Sequence, residues 1–283
     1  MALGIGLHRE FSEESFTPFI MEMRRRVWWT LYIFDSGARL TFGRPSMELN
    51  GVNIRPPRNL LDHDLIVDGE QLAPAREQPT VVSSLIWQIK LANISNLANA
   101  KLLEKPFPFE STIISLDDQV KSWCQKLPAY FHMDSLDFEL SWFDIPRKIL
   151  LWRSWQLRIV ITRPFLLRII KERQALDLNN ANSIVGRCSH SAQECVLSIC
   201  NFFSLHDILP GGLVWYATYW LVTAVFVSVT CLVYDPYHPL ALSWRQQIHN
   251  TKLILEKMAE IEILAKRAAF ILQQIMGMSD YLP

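Results

Sequence analysis

The sequence has no surplus of charge of either sign. Its 283 residues contain 28 Lys and Arg and 28 Asp and Glu, so the formal net charge at pH 7 is zero. A domain that binds nucleic acid on its own usually carries a basic patch and has a high isoelectric point. The charge balance therefore argues against autonomous DNA binding, and any DNA contact would have to be local.

Motifs for metals, nucleotides and nucleophiles are also missing. The glycines form neither GxGxxG nor GxxxxGK, the histidines form no HExxH, and there is no GxSxG. The five cysteines contain no CxxC pair of the kind that brings two thiolates to one zinc ion. We therefore predict buried free thiols, no metal or cofactor in this chain, and no enzyme. A lone DHD at residues 62–64 is interpreted as solvated loop charge. The cysteines are Cys124, Cys188, Cys195, Cys200 and Cys231.

A basic region followed by an apolar core, as in a secretory signal, does not follow Met1, so we expect an intracellular protein. One stretch, Gly211 to Tyr234, lacks charge over 24 residues, and about 20 apolar residues can cross a bilayer. Hydroxyl residues interrupt it and no basic cluster flanks it. The buried central helix of a soluble domain has the same composition. We favour that core helix; the alternative is a membrane-associated helical protein anchored by residues 211–234.

Strand-like alternation is scarce, and helical periodicity recurs along the chain. The predicted fold class is all-α, a large helical domain around the buried uncharged helix, with one domain as the default and two possible. Pro164 should kink or restart the helix that contains it. We predict a surface loop at residues 52–79, a loop at 177–183 and an aromatic linker at 129–144. The predicted helices cover roughly 18–39, 81–103, 113–127, 146–164, 185–202, 211–234 and a single long helix from about 254 to 272.

Residues 24–45, RRRVWWTLYIFDSGARLTFGRP, are the densest in information. Basic residues among aromatics suit a nucleic-acid surface, where rings stack on bases and arginines meet phosphates. Helical spacing favours a structural role instead, because an apolar stripe follows the helix and two tryptophans are too apolar to leave in water. The stripe that we expect to be buried comprises Met23, Val27, Leu31, Phe34 and Ala38.

The arginines of this segment can find partners inside the protein. Residues one turn apart on a helix are neighbours, and an arginine over an aromatic ring makes a cation–π contact. We therefore expect the basic residues to be used structurally rather than on DNA. The expected pairs are Arg24 with Trp28, Arg25 with Trp29, and Asp35 with Arg39.

Three stretches together resemble the middle homology region of the fungal zinc-cluster transcription regulators. MALGIGLHREF and EMRRRVWWTLYIFDSGARLTFGRP carry the family's Gly-Leu-His-Arg entry, arginine run, paired tryptophan, Asp and GRP ending. WQLRIVITRPFLL follows with an Arg-Pro-Phe element, and the layout is most similar to the branch that contains the yeast galactose activator. The matching positions are Gly6, His8, Arg9, Arg24, Arg25, Arg26, Trp28, Trp29, Asp35, Gly43, Arg44, Pro45, Arg163, Pro164 and Phe165.

The resemblance implies a regulatory domain of a nuclear, sequence-specific regulator of RNA polymerase II transcription of metabolic genes. In such proteins an N-terminal six-cysteine cluster binds two zinc ions and reads DNA, and the parent protein is a homodimer that answers to protein co-regulators or a metabolite. That cluster is not among residues 1–283, so we expect a partial regulatory domain, truncated at its N-terminus, without a membrane partner. Its parts would be the signature segment (residues 1–60), the proline-rich loop (52–79) and a helical remainder (80–276).

Overall fold

A computed structural model shows the architecture of the chain. It describes residues 2–12, 15–45, 50–132, 142–178, 180, 182–206 and 211–279. Throughout these ranges the regular elements are helices and no strand occurs, which confirms the all-α prediction. The chain divides into two compact units, Met1–Leu151 and Trp152–Pro283. Each unit is described by itself below.

Eight α-helices occur in the described residues. In chain order they are α1 (Pro18–Phe42), α2 (Ser83–Leu103), α3 (Glu110–Gln125), α4 (Asp144–Lys171), α5 (Ile184–Leu205), α6 (Gly211–Tyr234), α7 (Ala241–Met258) and α8 (Ile263–Ser279). Single 3₁₀ turns lie at Asp62–Asp64 and Ala129–Phe131. The first eight residues of α4 fall in the first unit and the rest in the second. Residues 133–141 of the predicted aromatic linker, and residues 179 and 181 of the predicted polar loop, lie outside the described residues.

Local capping sets the ends of α1. The Thr17 hydroxyl accepts a hydrogen bond from the backbone N–H of Ile20 at 3.4 Å, and Pro18 occupies the first turn, where its missing N–H costs nothing. The helix ends at Gly43, whose φ of 60° lies in the left-handed region that favours glycine. The predicted start is confirmed, and the helix runs three residues beyond the predicted end at Arg39.

In the first unit, α1 packs on α2 and α2 on α3. The proline-rich loop was predicted to lie on the surface, but it is partly buried. Ile54 and Leu60 are 3% and 0% exposed. Its backbone can be buried because its polar groups find partners: the Asn59 side-chain amide donates to the carbonyl oxygens of Arg76 and Gln78. The core cluster at α1 contains Leu7, Trp28, Trp29, Tyr32, Ile33, Ile54, Ile89 and Ala92.

The predicted core stripe of α1 is wrong. Val27, Leu31 and Phe34 are 44%, 45% and 54% exposed, and Met23 and Ala38 are exposed as well. The opposite side of the helix is buried, because its aromatic rings offer more area to remove from water and its charged groups find partners there. The buried residues of α1 are Met21, Glu22, Arg25, Trp28, Trp29, Tyr32, Ile33 and Ser36.

In the second unit, α6 packs against α5, α7 and α8. Of its most apolar 18-residue window, 67% is buried inside the structure, which favours the core helix over a membrane span. Trp152 is fully buried, and its ring centroid lies 5.4 Å from that of Phe202 and 6.1 Å from that of Trp220. The predicted α5 face is confirmed: Val185, Cys188, Ala192, Cys195, Ile199 and Phe202 are all buried.

One prediction for this unit is wrong, and another is narrowed. The final helix is two helices, because the chain leaves the helical path after Met258 and the Glu262 side chain accepts the N–H of Leu264 at the start of α8. Ile261 is 51% exposed in the break. The helix that contains Pro164 was predicted to kink or restart there; α4 continues through Pro164 to Lys171, which excludes the restart. A proline costs the helix one backbone hydrogen bond, and the buried Phe165 and Leu166 beyond it offset that loss.

Candidate functional site

A buried carboxylate lies at the centre of the signature segment. Glu22 is 0% exposed, and its Oε1 atom lies 3.3 Å from the Arg26 Nε atom. The Arg25 Nη1 atom lies 3.6 Å from Glu22 Oε2, and the backbone N–H of Arg58 donates to both oxygens at 3.1 and 3.3 Å. A buried charge is tolerated when it is paired and hydrogen-bonded. Glu22 therefore joins the arginine run to the proline-rich loop.

A second carboxylate, Glu10, receives the other side of Arg25. Its oxygens accept hydrogen bonds from the Arg25 guanidinium, from the Arg55 Nε atom at 2.8 Å and from the Arg55 backbone N–H at 3.0 Å. Burial by itself would raise the pKa of Glu10, but these bonds from Arg25 and Arg55 outweigh it and lower the pKa to about 2. Glu10 is therefore ionised at any physiological pH, and Arg25 bridges two acids.

The other two arginines of the run have different partners. Arg26 forms an ion pair with Asp62 at 2.9 Å and donates to the carbonyl oxygen of Leu60 at 3.3 Å. Arg24 donates to the carbonyl oxygen of Gly6 at 2.6 Å, and its guanidinium carbon lies 5.1 and 4.9 Å from the ring centroids of Phe11 and Phe16. The predicted cation–π partners of Arg24 and Arg25 are thus wrong, because nearer acids, a carbonyl and two other rings take the guanidinium groups.

The paired tryptophans are buried, as predicted. Trp28 and Trp29 are 3% and 7% exposed. The indole N–H of Trp29 donates to the carbonyl oxygen of Arg55 at 2.9 Å, and the His8 ring centroid lies 5.8 Å from that of Trp28. The His8 carbonyl oxygen accepts the N–H groups of Asn53 and Ile54. Both the first residues of the chain and the proline-rich loop therefore converge on the tryptophan pair.

The remaining signature positions form local contacts. Asp35 and Arg39 make the predicted ion pair at 2.5 Å. Gly6 has a φ of 67°, and Arg9 donates to the His8 ring. Gly43 closes α1, Arg39 donates to the Pro45 carbonyl oxygen, and the Arg44 carbonyl oxygen accepts from Asn99 on α2 at 2.7 Å. Arg163, Pro164 and Phe165 lie in α4 within the second unit, where Phe165 is buried.

The DHD sequence is not simply solvated loop charge. Asp64 accepts two hydrogen bonds at 2.7 Å from the Arg76 guanidinium, which lower its pKa to about 2. The Arg76 backbone N–H also donates to the Asn59 carbonyl oxygen at 2.9 Å. These contacts close the loop between residues 59 and 76 at its base. Asp62, as described above, pairs with Arg26.

The charged network borders a cavity of about 240 Å³ in the first unit. Its polar lining comes from Glu10, Arg25, Arg55, Arg58 and Glu70. Phe11, Phe16, Pro18, Met21, Gln71 and Leu72 complete the wall. Within the described ranges no group of three or more His, Cys, Asp or Glu side chains could hold a metal ion. Chemically, the cavity offers positive charge and hydrogen-bond donors to a small molecule.

Sequence reasoning missed the acids that organise this site. Glu10, Glu22 and Asp62, together with Arg55 and Arg58, were not among the predicted site residues. The spacing of Glu22 from Arg25 and Arg26, three and four residues, places them on one helix face and was an available signal. The partners from residues 10 and 55–62 carry no such signal, because their contacts depend on the folded path of the loop.

Comparison with known proteins bears on the signature segment directly. Residues 1–153 match the family described as "Fungal specific transcription factor domain". This chain belongs to that family. The match covers more than half of the chain and ends two residues beyond the first compact unit. The family domain therefore contains the charged network, the tryptophan pair and the cavity.

Several relatives are named as transcription factors. "Probable transcription factor lepB" of Aspergillus flavus is 28% identical over 75% of this chain and 40% of its own length. "Activator of stress genes 1" of Saccharomyces cerevisiae is 23% identical over 82% of this chain and 24% of its own. "Aurofusarin cluster transcription factor aurR2" of Gibberella zeae is 44% identical over 32% of this chain and 14% of its own length. The chain spans less than half the length of these relatives, and no solved structure matches it.

Proposed function

We propose that this chain is the regulatory, non-DNA-reading part of a fungal transcription regulator acting on RNA polymerase II promoters of metabolic genes. The observation that carries the proposal is the family match over residues 1–153, which covers the first unit with its buried charged network. The zero net charge supports the assignment of DNA reading elsewhere. Of the arginines that looked suited to phosphate, Arg25 and Arg26 are occupied by Glu10, Glu22 and Asp62, and Arg24 by the Gly6 carbonyl oxygen.

In this proposal, DNA is read by a zinc-cluster segment outside residues 1–283, and zinc belongs to that segment. The parent regulator is nuclear, acts as a homodimer and answers to a co-regulator or a metabolite. The chain has no catalytic role. The relatives named as transcription factors, which are much longer than this chain, support the nuclear role in transcription; the zinc segment, the homodimer and the effector are what the family resemblance implies.

A reporter experiment tests the proposal. The full chain is fused between a heterologous DNA-binding domain and an activation domain, and reporter output in yeast is compared with a fusion that carries an unrelated helical domain of similar size. We expect the chain to lower the output and Arg25→Met to restore it, because that change removes the bridge between the buried Glu22 and the partly buried Glu10. Arg267→Met, on an exposed α8 residue, is the matched control. Equal output from all fusions at equal protein level would overturn the proposal.

A gel-shift experiment tests the assignment of the arginines. The isolated chain should leave a DNA duplex unshifted at physiological salt. A specific shift that weakens steeply with added salt would mean that basic residues of this chain meet phosphates. Arg24, Arg25 and Arg26 would then have to leave their partners in the structure.

A further inference from the structure

We infer that the cavity beside the charged network is a binding site for a small organic acid, held chiefly by Arg58 and Arg55. Three arginines and two glutamates line the cavity, so its lining carries a net formal charge of +1. A carboxylate, like a phosphate, is a group that guanidinium donors recognise through paired charge-assisted hydrogen bonds. The carboxylate of the ligand is therefore placed against these arginines.

Arg58 is the residue with donors to spare. Its backbone N–H is engaged by Glu22, but its guanidinium makes no hydrogen bond or ion pair with any residue in the described part of the chain. Arg55 is partly available: its side chain is 65% exposed while it contacts Glu10. Arg25, by contrast, is 6% exposed and divided between two acids. An entering carboxylate would bind Arg58 and share Arg55 with Glu10.

The wall that carries these donors is held in place before any ligand arrives. The Arg55 backbone is fixed on both sides, since its N–H donates to Glu10 at 3.0 Å and its carbonyl oxygen accepts from Trp29 at 2.9 Å. The Arg58 N–H is bound to the buried Glu22. A preorganised site loses less conformational entropy on binding. The hydrogen bonds that build the signature segment thus also build the cavity.

The rest of the lining favours an organic acid over an inorganic anion. Phe11 and Phe16 stand edge to face with centroids 5.3 Å apart, and the buried Met21 lies beside them in the wall. The accessible lining is mostly polar, so these side chains provide a smaller apolar surface for the carbon skeleton of the ligand. Glu70 also lines the cavity and has no hydrogen-bond or ion-pair partner among the described residues. It suits a hydroxyl or ammonium group elsewhere on the ligand.

Binding at this site would act on the signature segment through Arg55. Its side chain joins Glu10 to the cavity, and its carbonyl oxygen holds the indole of Trp29. A ligand that draws Arg55 toward the cavity weakens one of the bonds on Glu10 and shifts the balance between two arrangements of the loop. This regulatory consequence rests on the proposed function, whereas the binding itself does not.

Calorimetry on the full chain tests the site with benzoate, succinate and inorganic phosphate as probes at constant ionic strength. Benzoate adds an apolar ring to one carboxylate, succinate carries two carboxylates without a ring, and phosphate is an anion without an apolar part. We expect saturable binding of benzoate or succinate that weakens about tenfold or more in Arg58→Gln, because a charge-assisted hydrogen bond is lost. Arg267→Gln, an exposed arginine in the second unit, should bind as the wild type does.

Different outcomes of these measurements test the class of ligand and the existence of the site. Binding of phosphate as tight as that of both organic acids would overturn the organic-acid assignment. No saturable binding of any probe, or equal binding by Arg58→Gln and the wild type, would overturn the site. Circular dichroism shows whether Arg58→Gln is folded, and Glu70→Gln, at the exposed side of the cavity, provides a second variant that should change the preference between the probes. If binding holds but the reporter does not respond to the chain, the proposed function fails and the site stands.

Discussion

Two helices of almost equal length bury faces of different chemical composition. The 25-residue α1 buries eight residues, including Glu22 and Arg25, and leaves a row of aliphatic side chains exposed. The 24-residue α6 buries fourteen residues and has no charge. Two of its hydroxyls bond back to its own backbone, as when Thr223 donates to the Tyr219 carbonyl oxygen, and Ser228 donates to the Gln247 side chain on α7 at 2.7 Å. The buried face of α1 depends on several charged partners from other segments, whereas that of α6 is mainly apolar, with hydrogen bonds to α7 from Thr218 and Ser228.

The difference shows where specificity lies. A buried ion pair adds little net stability over apolar packing, but breaking it leaves an unpaired charge. The α1 face can therefore accept only a loop that brings Glu10, Arg55 and Arg58 to the right places. The α6 face asks mainly for apolar surface of the right shape, with one polar partner, Gln247, for Ser228.

The largest expected effect is at α1. Arg25→Met removes the guanidinium between Glu10 and the fully buried Glu22, and should lower the free energy of unfolding by about 3–5 kcal/mol. Denaturant unfolding, with hydrogen exchange of the α1 amides to localise the change, measures it. Arg267→Met on the exposed side of α8 should change stability by less than about 0.5 kcal/mol. A loss in Arg25→Met as small as that in the control would refute the role of the network.

The corresponding change in α6 creates a cavity. Leu221 is 0% exposed, and Leu221→Ala should cost roughly 3 kcal/mol by lost transfer energy and unfilled volume. Hydrogen exchange should show the loss in α5, α6 and α7 amides, since α6 packs on both neighbours. The matched control is Leu242→Ala on α7, where the side chain is 80% exposed. Unchanged melting of Leu221→Ala would contradict the assignment of α6 as a core helix.

These two helices also differ in how much the sequence predicts. The ends and burial of α6 follow from its composition, because a long uncharged stretch in a helical domain has no side to expose. The buried face of α5 follows from the spacing of its Cys, Ala and Val residues. The burial of Trp28 and Trp29 follows from ring size. Each of these predictions depends only on residues close together in the chain.

What the sequence did not predict depends on distant partners. The prediction for α1 placed the wrong side of the helix in the core, because a charged face is normally assigned to solvent. Partners 15 to 36 positions away along the chain make the burial of that face possible. The path of the proline-rich loop over Glu22 was not predicted for the same reason, because it depends on a contact between residues far apart in the chain. The break between α7 and α8 coincides with a single capping side chain, that of Glu262. The periodicity of the apolar residues does not reveal such a cap.

Low pH should destabilise the packing of the buried face of α1. It should not affect the packing of α6, which contains no acidic or basic residue. Glu10 has a pKa lowered to about 2 from 4.5, so its contribution is complete above pH 4.5 and is lost as the pH falls through about 2. We expect a loss of about 2 kcal/mol across this window, less than full burial would give because Glu10 is partly exposed. Urea unfolding at several pH values measures it.

Two variants separate Glu10 from the other acids. Glu10→Gln should reduce the change in the free energy of unfolding between pH 4.5 and 2. Glu260→Gln, on an exposed residue of the second unit, should leave that change as it is in the wild type. Burial raises the pKa of Glu22, so protonation of that residue at higher pH favours the folded state and acts in the opposite direction. A profile that Glu10→Gln leaves unchanged would assign the acid sensitivity to other groups.

The smallest expected effect tests the outer face of α1. Leu31 is 45% exposed, so Leu31→Lys should change the free energy of unfolding by no more than about 0.5 kcal/mol. Val225→Lys in α6 is the counterpart, since Val225 is 0% exposed and an unpaired buried charge should prevent folding. Thermal melting by circular dichroism compares them. A loss of more than about 1 kcal/mol in Leu31→Lys would mean that the aliphatic row is covered in solution, and that α1 buries an apolar face as α6 does.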